Sequence, residues 1–93
     1  MASFLVRVEL YEADAERYDT LYGRMNGLGF SKNVKIEGID YDLPTGTYFG
    51  DFNHTASVIR DAVKGVADPL SVKAASIFVC SFDYWATSLY QSS

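Results

Sequence analysis

Polar and apolar residues alternate along residues 4–11. Phe4, Val6, Val8 and Leu10 form one set, and Leu5, Arg7, Glu9 and Tyr11 form the other. A period of two puts the sets on opposite faces of a strand. The first set predicts a face packed on helices, and the second, with its Arg and Glu, predicts an open face. From Ala13 the period changes. Tyr18, Leu21, Tyr22, Met25 and Leu28 recur at helical spacing and make one apolar stripe. Asp14 is placed as the N-cap, and Glu16 suits the positive end of the helix dipole. Gly29 fits a left-handed C′ position, with Phe30 folding back on the last turn. Gly23 and Gly27 weaken this helix by about 1 kcal/mol each relative to Ala, so they mark either close packing against another backbone or a tolerated cost.

Residues 31–37 alternate again, with Val34 and Ile36 inward and Lys35 and Glu37 outward. Residues 38–42 read as a turn or an irregular hairpin tip. Pro44 precedes a strand over residues 45–52. Gly46, Tyr48 and Gly50 share one of its faces, and bare backbone beside one aromatic permits close approach of a partner or ligand. Asn53 predicts the cap of a second helix over residues 54–67, with Ile59, Ala62, Val63 and Val66 as its stripe and Asp68-Pro69 as its stop. Residues 73–82 form a strand that is apolar on both faces, which predicts a central position. Residues 83–90 read as a short fifth strand, or as a tail that pairs with an edge strand or crosses to a second subunit. The order strand, helix, strand, strand, helix, strand predicts one α+β domain over residues 1–93. Its expected form is a ferredoxin-like βαββαβ sandwich, with two helices on one face of a four-stranded antiparallel sheet.

Composition narrows the functional classes. A hydrophobic content of 48% and an aromatic content of 15% exclude a disordered chain. Seven Tyr and six Phe are many for 93 residues, so some must lie at the surface or in an interface. A net charge of −4 lacks the basic field of a duplex-DNA binder. Cys80 is the single cysteine, so no intrachain disulfide forms, which fits a reducing compartment. The first residues enter a strand pattern without a basic leader, and no apolar run approaches about 18 residues. A cytoplasmic protein that does not cross a membrane is the expectation.

Four constellations could carry chemistry. Arg7, Glu9 and Tyr11 share the open face, where a carboxylate can hold a divalent metal and an Arg a phosphate; the plainer alternative is a surface ion pair. His54, the only histidine, could act as a base or be a solvated residue at the start of the second helix. The acids Glu37, Asp40, Asp42 and Asp51 match no calcium loop and read as a solvated turn. Tyr11 and Tyr48 could stack bases on an open sheet or, with Trp85 from the tail, form a dimer or partner interface. Cys80 lies within the last strand with no basic neighbour and reads as packing material.

Residues Phe4-Leu5-Val6-Arg7-Val8-Glu9-Leu10, the helix end Leu28-Gly29-Phe30-Ser31 and the segment Tyr41-Asp42-Leu43-Pro44-Thr45-Gly46-Thr47-Tyr48 resemble a family of small bacterial and prophage proteins. That family groups with the GhoS-type antitoxin endoribonucleases. The resemblance implies a ferredoxin-like dimer, similar to the small CRISPR-associated endoribonucleases, with an acid near the end of the first strand binding metal. Glu9 stands at that position and Asp14 just beyond. A Mg or Mn ion held by Glu9 and Asp14, with Arg7 on phosphate, would then serve cleavage of single-stranded RNA within a toxin–antitoxin system.

Two readings follow. One is a non-catalytic interaction module, phage- or mobile-element-encoded, that binds a host protein through an acidic, aromatic-rich face. The other is the endoribonuclease-type antitoxin, with Glu9 and Arg7 as catalytic groups. A small-molecule sensor with its pocket at the dimer interface is a third. All three expect a homodimer.

Overall fold

The structure, a computed structural model, describes residues 1–92. Its elements are β1 (Ala2–Glu9), α1 (Ala15–Gly27), β2 (Asn33–Ile36), β3 (Ile39–Asp42), β4 (Thr47–Phe52), α2 (Ala56–Ala67), a 3-10 turn (Asp68–Leu70) and β5 (Ser76–Phe82). This is a two-helix, α+β arrangement of ferredoxin-like type. The central sheet has the antiparallel order β4-β1-β5.

The alternation of β1 sets the layers. Phe4, Val6, Val8 and Leu10 are buried beneath the helices. They meet Leu21 and Met25 of α1, Ile59, Val63 and Ala67 of α2, and Phe30 and Tyr48 in one core. Helix α1 begins as its sequence predicts, because the Asp14 carboxylate accepts the Arg17 N–H at 3.0 Å. It ends on the expected reverse turn. Gly29 has φ of 100°, its N–H donates to the Asn26 carbonyl and the Phe30 N–H to the Met25 carbonyl, each at 3.0 Å. Nothing lies within 4 Å of a Cβ placed on Gly23 or Gly27, so these two are a tolerated cost.

Four expectations change. The sheet is three-stranded rather than four-stranded: β2 pairs with β3 as a separate hairpin, attached to β4 by the Ser31–Phe49 bridge. The hairpin tip is only Glu37-Gly38, both at positive φ (51° and 81°), the twist a two-residue tip needs, and Ile39 to Asp42 continue as strand. Helix α2 is capped by Thr55, whose Oγ1 accepts the Val58 N–H at 3.3 Å, so Asn53 and His54 stand in a bend before it. Strand β5 is an edge strand, not a central one. Its two apolar faces have separate causes: Ile77 and Val79 pack toward the core, while Phe78, Cys80 and Phe82 lie on the open face beside β1.

The tail pairs along the outer side of β3. Tyr41 bridges Gln91, Asp42 N–H donates to the Tyr90 carbonyl at 3.0 Å, and Ser92 N–H donates to the Asp40 carbonyl at 2.9 Å. Ser92 Oγ also meets Asp42 and Asn33. The chain after β5 therefore crosses from one side of the sheet to the outer edge of the hairpin. No helix among the described residues is long and apolar enough to cross a membrane.

Candidate functional site

Register builds the open face row by row. Leu5 stands between Phe49 and Cys80, Arg7 between Thr47 and Phe78, and Ser3 between Asp51 and Phe82. Side chains two apart on a strand share a face, so these rows form one surface. Phe49 and Phe82 close over it edge to face, with ring centroids 5.6 Å apart. The crossing tail makes the opposite wall. Leu5, Phe49, Cys80 and Phe82 line one side of a mostly apolar groove of about 400 Å³, and Tyr84, Trp85, Leu43 and Pro44 line the other. Trp85 keeps 47% of its surface exposed and Phe78, at the end of the row beside Arg7, keeps 68%.

The end of this face beyond Phe78 is polar. Arg7 donates through Nη1 to the Thr45 carbonyl at 2.5 Å, which ties the first strand to the segment that rims the groove. Glu9 is exposed opposite Ser76. The Tyr11 hydroxyl bonds to Ser76 Oγ, and Lys73 Nζ sits 4.3 Å over the Tyr11 ring. Arg7, Glu9 and Phe78 share a shallow hollow of about 310 Å³. The sheet thus brings Arg7, Glu9 and Tyr11 together on the face expected. Asp14 is engaged elsewhere, in capping α1. Among the described residues no group of three His, Cys, Asp or Glu side chains converges as a metal site.

Tyr48 is not on this surface. It is 3% exposed, on the helix side of β4, and belongs to the core. Its strand-mates on that face explain why. Gly50 leaves the space that the Phe52 and Phe30 rings fill, and Gly46 lies against the Val8 carbonyl. The bare backbone seen in the sequence admits the protein's own rings and strand rather than a ligand. Tyr48 does line a second cleft, of about 300 Å³, with Tyr18, Tyr22, Lys32, Asp19 and Asp42. Burial, and to a lesser degree the Tyr18 and Tyr22 hydroxyls, pushes the Tyr48 phenol up to about 12. The unfolded chain would lose this proton near pH 10, so stability is held below pH 10 and falls as pH rises toward 12. Tyr48→Phe should therefore leave the melting temperature near neutrality almost unchanged and flatten its decline above pH 10. An equal decline in both proteins would sink this assignment.

The remaining candidates have local roles. His54 is exposed in the bend before α2. Asp40 pairs with Lys35 at 3.5 Å, Asp42 accepts from Asn33, and Asp51 accepts from Ser3. Cys80 is half-buried in the groove wall. The residues that sequence reasoning passed over are Leu5, Phe49, Phe78 and Phe82. Their signal was present as apolar residues at the open-face parity of three strands, but it could be read only once the strands were placed side by side.

Fold and face together define an α+β domain with an open apolar sheet surface partly roofed by its own tail. No protein-family model matches the chain, and no curated protein matches it significantly.

Proposed function

We propose that this chain is a non-catalytic interaction module that works as a homodimer and docks a protein partner on its open sheet face. The groove is the observation that carries this reading. A domain whose core is complete on the helix side nevertheless presents Leu5, Phe49, Phe82, Trp85 and Phe78 on the other. Exposed aromatics clustered beside a pocket and rimmed by polar groups are the usual composition of a protein-binding surface. The acidic net charge of −4 suits a partner with a basic rim and argues against one held by phosphates.

Trp85, the single tryptophan, reports on the groove directly. A partner recovered by affinity capture should shift Trp85 emission when titrated. Leu5→Lys, which puts a charge in the groove wall, should weaken its binding about tenfold or more. Binding that is indifferent to Leu5→Lys would overturn the reading.

The polar end of the same face favours a second proposal, an endoribonuclease-type antitoxin acting on single-stranded RNA. Arg7 and Glu9 lie side by side there with Lys73 close to Tyr11. A Mg or Mn ion at Glu9 would take its other ligands from water and RNA phosphate, as small hard cations commonly do. Under this proposal, metal-dependent cleavage of RNA disappears in Glu9→Gln while the melting temperature stays within a few degrees. Cleavage that survives the substitution removes Glu9 from the chemistry.

A further inference from the structure

We infer that two copies of the chain join through their β5 edges, antiparallel about a two-fold axis at Val79, so that their three-stranded sheets become one. This deepens the dimeric reading above and rests on it.

The backbone directions come first. In an antiparallel strand, the N–H and C=O groups of alternate residues point to opposite neighbours. Val8 N–H donates to the Gly46 carbonyl at 2.7 Å, on the β4 side. The even residues of β1 therefore address β4, and Ser3, Leu5, Arg7 and Glu9 address β5. Their partners are Phe82, Cys80, Phe78 and Ser76. Ile77, Val79 and Ser81 are left with N–H and C=O groups directed away from the sheet. No backbone hydrogen bond outside the sheet ladder reaches them among the described residues.

This edge has none of the usual guards. Proteins protect a free strand edge with a charge, a proline, a bulge or a covering segment. β5 reads Ser-Ile-Phe-Val-Cys-Ser-Phe, without a charge or a proline, and its register with β1 runs unbroken from Ser3–Phe82 to Glu9–Ser76. The other edges are handled differently. Ser31 exchanges two bonds of 2.8 Å with Phe49 on the outer side of β4, and the tail lies along β3. The outer edges of β4 and β3 are thus engaged at Phe49, Asp40 and Asp42, while no backbone group of the β5 edge is engaged outside its own ladder among the described residues.

The edge is also complementary to itself. An axis at Val79, the midpoint of β5, lets the whole strand pair with its copy. Val79 then faces Val79, Ile77 faces Ser81, and Phe78 faces Cys80. Every outward donor meets an outward acceptor, and β5 itself carries no charge to oppose its copy. Ile77, Phe78 and Val79 border a furrow of about 320 Å³ whose far bank is Ala56, Ser57 and Arg60 of α2. The small residues Ala56 and Ser57 keep that bank low. Pairing would cover Phe78, which otherwise holds 68% of its surface in water. It would also set the two open faces side by side, so one partner could contact both grooves.

Two measurements on the full chain test this. Light scattering over a dilution series should give a mass of twice 10.3 kDa that falls on dilution. Hydrogen exchange of the same sample should show the Ile77, Val79 and Ser81 amides protected. Ser81→Pro removes only an outward N–H, since Ser81 is exposed and addresses no β1 residue. Two hydrogen bonds are lost per dimer, so the dissociation constant should rise about fiftyfold with an unchanged circular dichroism spectrum. A monomer at every concentration would overturn both the dimeric reading and the edge pairing. A dimer whose three amides exchange freely, or a folded Ser81→Pro that stays as tightly dimeric, would overturn the edge pairing alone. Should Ser81→Pro fail to fold, the exchange of the unaltered chain decides.

Discussion

Leu21→Ala should lower the stability of this domain by about 3 kcal/mol, the centre of what a buried leucine costs when truncated. Leu21 is wholly buried on α1, in the cluster with Val6, Val8, Met25 and Val63. Its loss removes transfer energy and leaves a cavity that a sheet on one side and a helix on the other cannot both close. A domain of 93 residues has a total stability of roughly 5–14 kcal/mol. The variant should therefore melt about 15 °C lower. Val58→Ala supplies the contrast. Val58 is 50% exposed on α2, and the same kind of truncation there should change stability by about 0.5 kcal/mol or less. Chemical denaturation of both variants measures the difference. Equal effects would mean that α1 does not pack on β1 as described.

Gly46→Ala should cost about 3 kcal/mol, and Gly38→Ala about 1 kcal/mol, although the two glycines have nearly the same φ. Their φ values are 79° and 81°, so each variant bears the cost of a Cβ in the left-handed region. They differ in space. A Cβ on Gly38 meets nothing within 4 Å, whereas one on Gly46 would lie 2.5 Å from the Val8 carbonyl oxygen and from Arg7 Nη1. The Arg7 side chain can swing aside, but the Val8 carbonyl belongs to the central strand. Relief must come from displacing Gly46, which strains the Val8 N–H bond to its carbonyl. The consequence reaches function, because the segment from Leu43 to Thr47 lines both clefts. Thermal melts rank the two variants, and Trp85 emission shows whether the groove wall has moved. Equal melting temperatures would refute the close contact.

The legible parts of this fold are those in which neighbouring residues carry the information. The period of two in β1 and the helical stripe of α1 depend on spacing along the chain; β1 turns the expected face inward, and the α1 stripe packs from Tyr18 to Met25, while Leu28, expected in it, caps the helix and is exposed. The Asp14 cap and the Gly29 turn are equally local, since each concerns hydrogen bonds spanning a few residues. The hairpin tip is shorter than the sequence suggests because Ile39 and Tyr41 alternate with Asp40 and Asp42 over only four residues, too few to outweigh the nearby Gly38. Asn53 and Thr55 are both good caps, and nothing between them favours one until α2 is packed.

The candidate site was legible in part. That Arg7, Glu9 and Tyr11 share a face follows from strand geometry. What lies beside them does not. Tyr48 and Phe49 are adjacent aromatics of similar size, and chain parity alone does not say which one the helices cover. The answer depends on Tyr48 pairing with Val6 and Phe49 with Leu5, a register set across more than forty residues of intervening chain. The apolar character of β5 has the same ambiguity. Burial on both sides of a central strand and exposure of one face on an edge strand leave the same composition. Local periodicity, capping and turn chemistry are therefore written in the chain, because their energies are short-ranged. Which strand stands at the edge, which aromatic enters the core and where the tail crosses are settled by contacts between distant segments, which share one hydrophobic interior and have no counterpart in any local pattern.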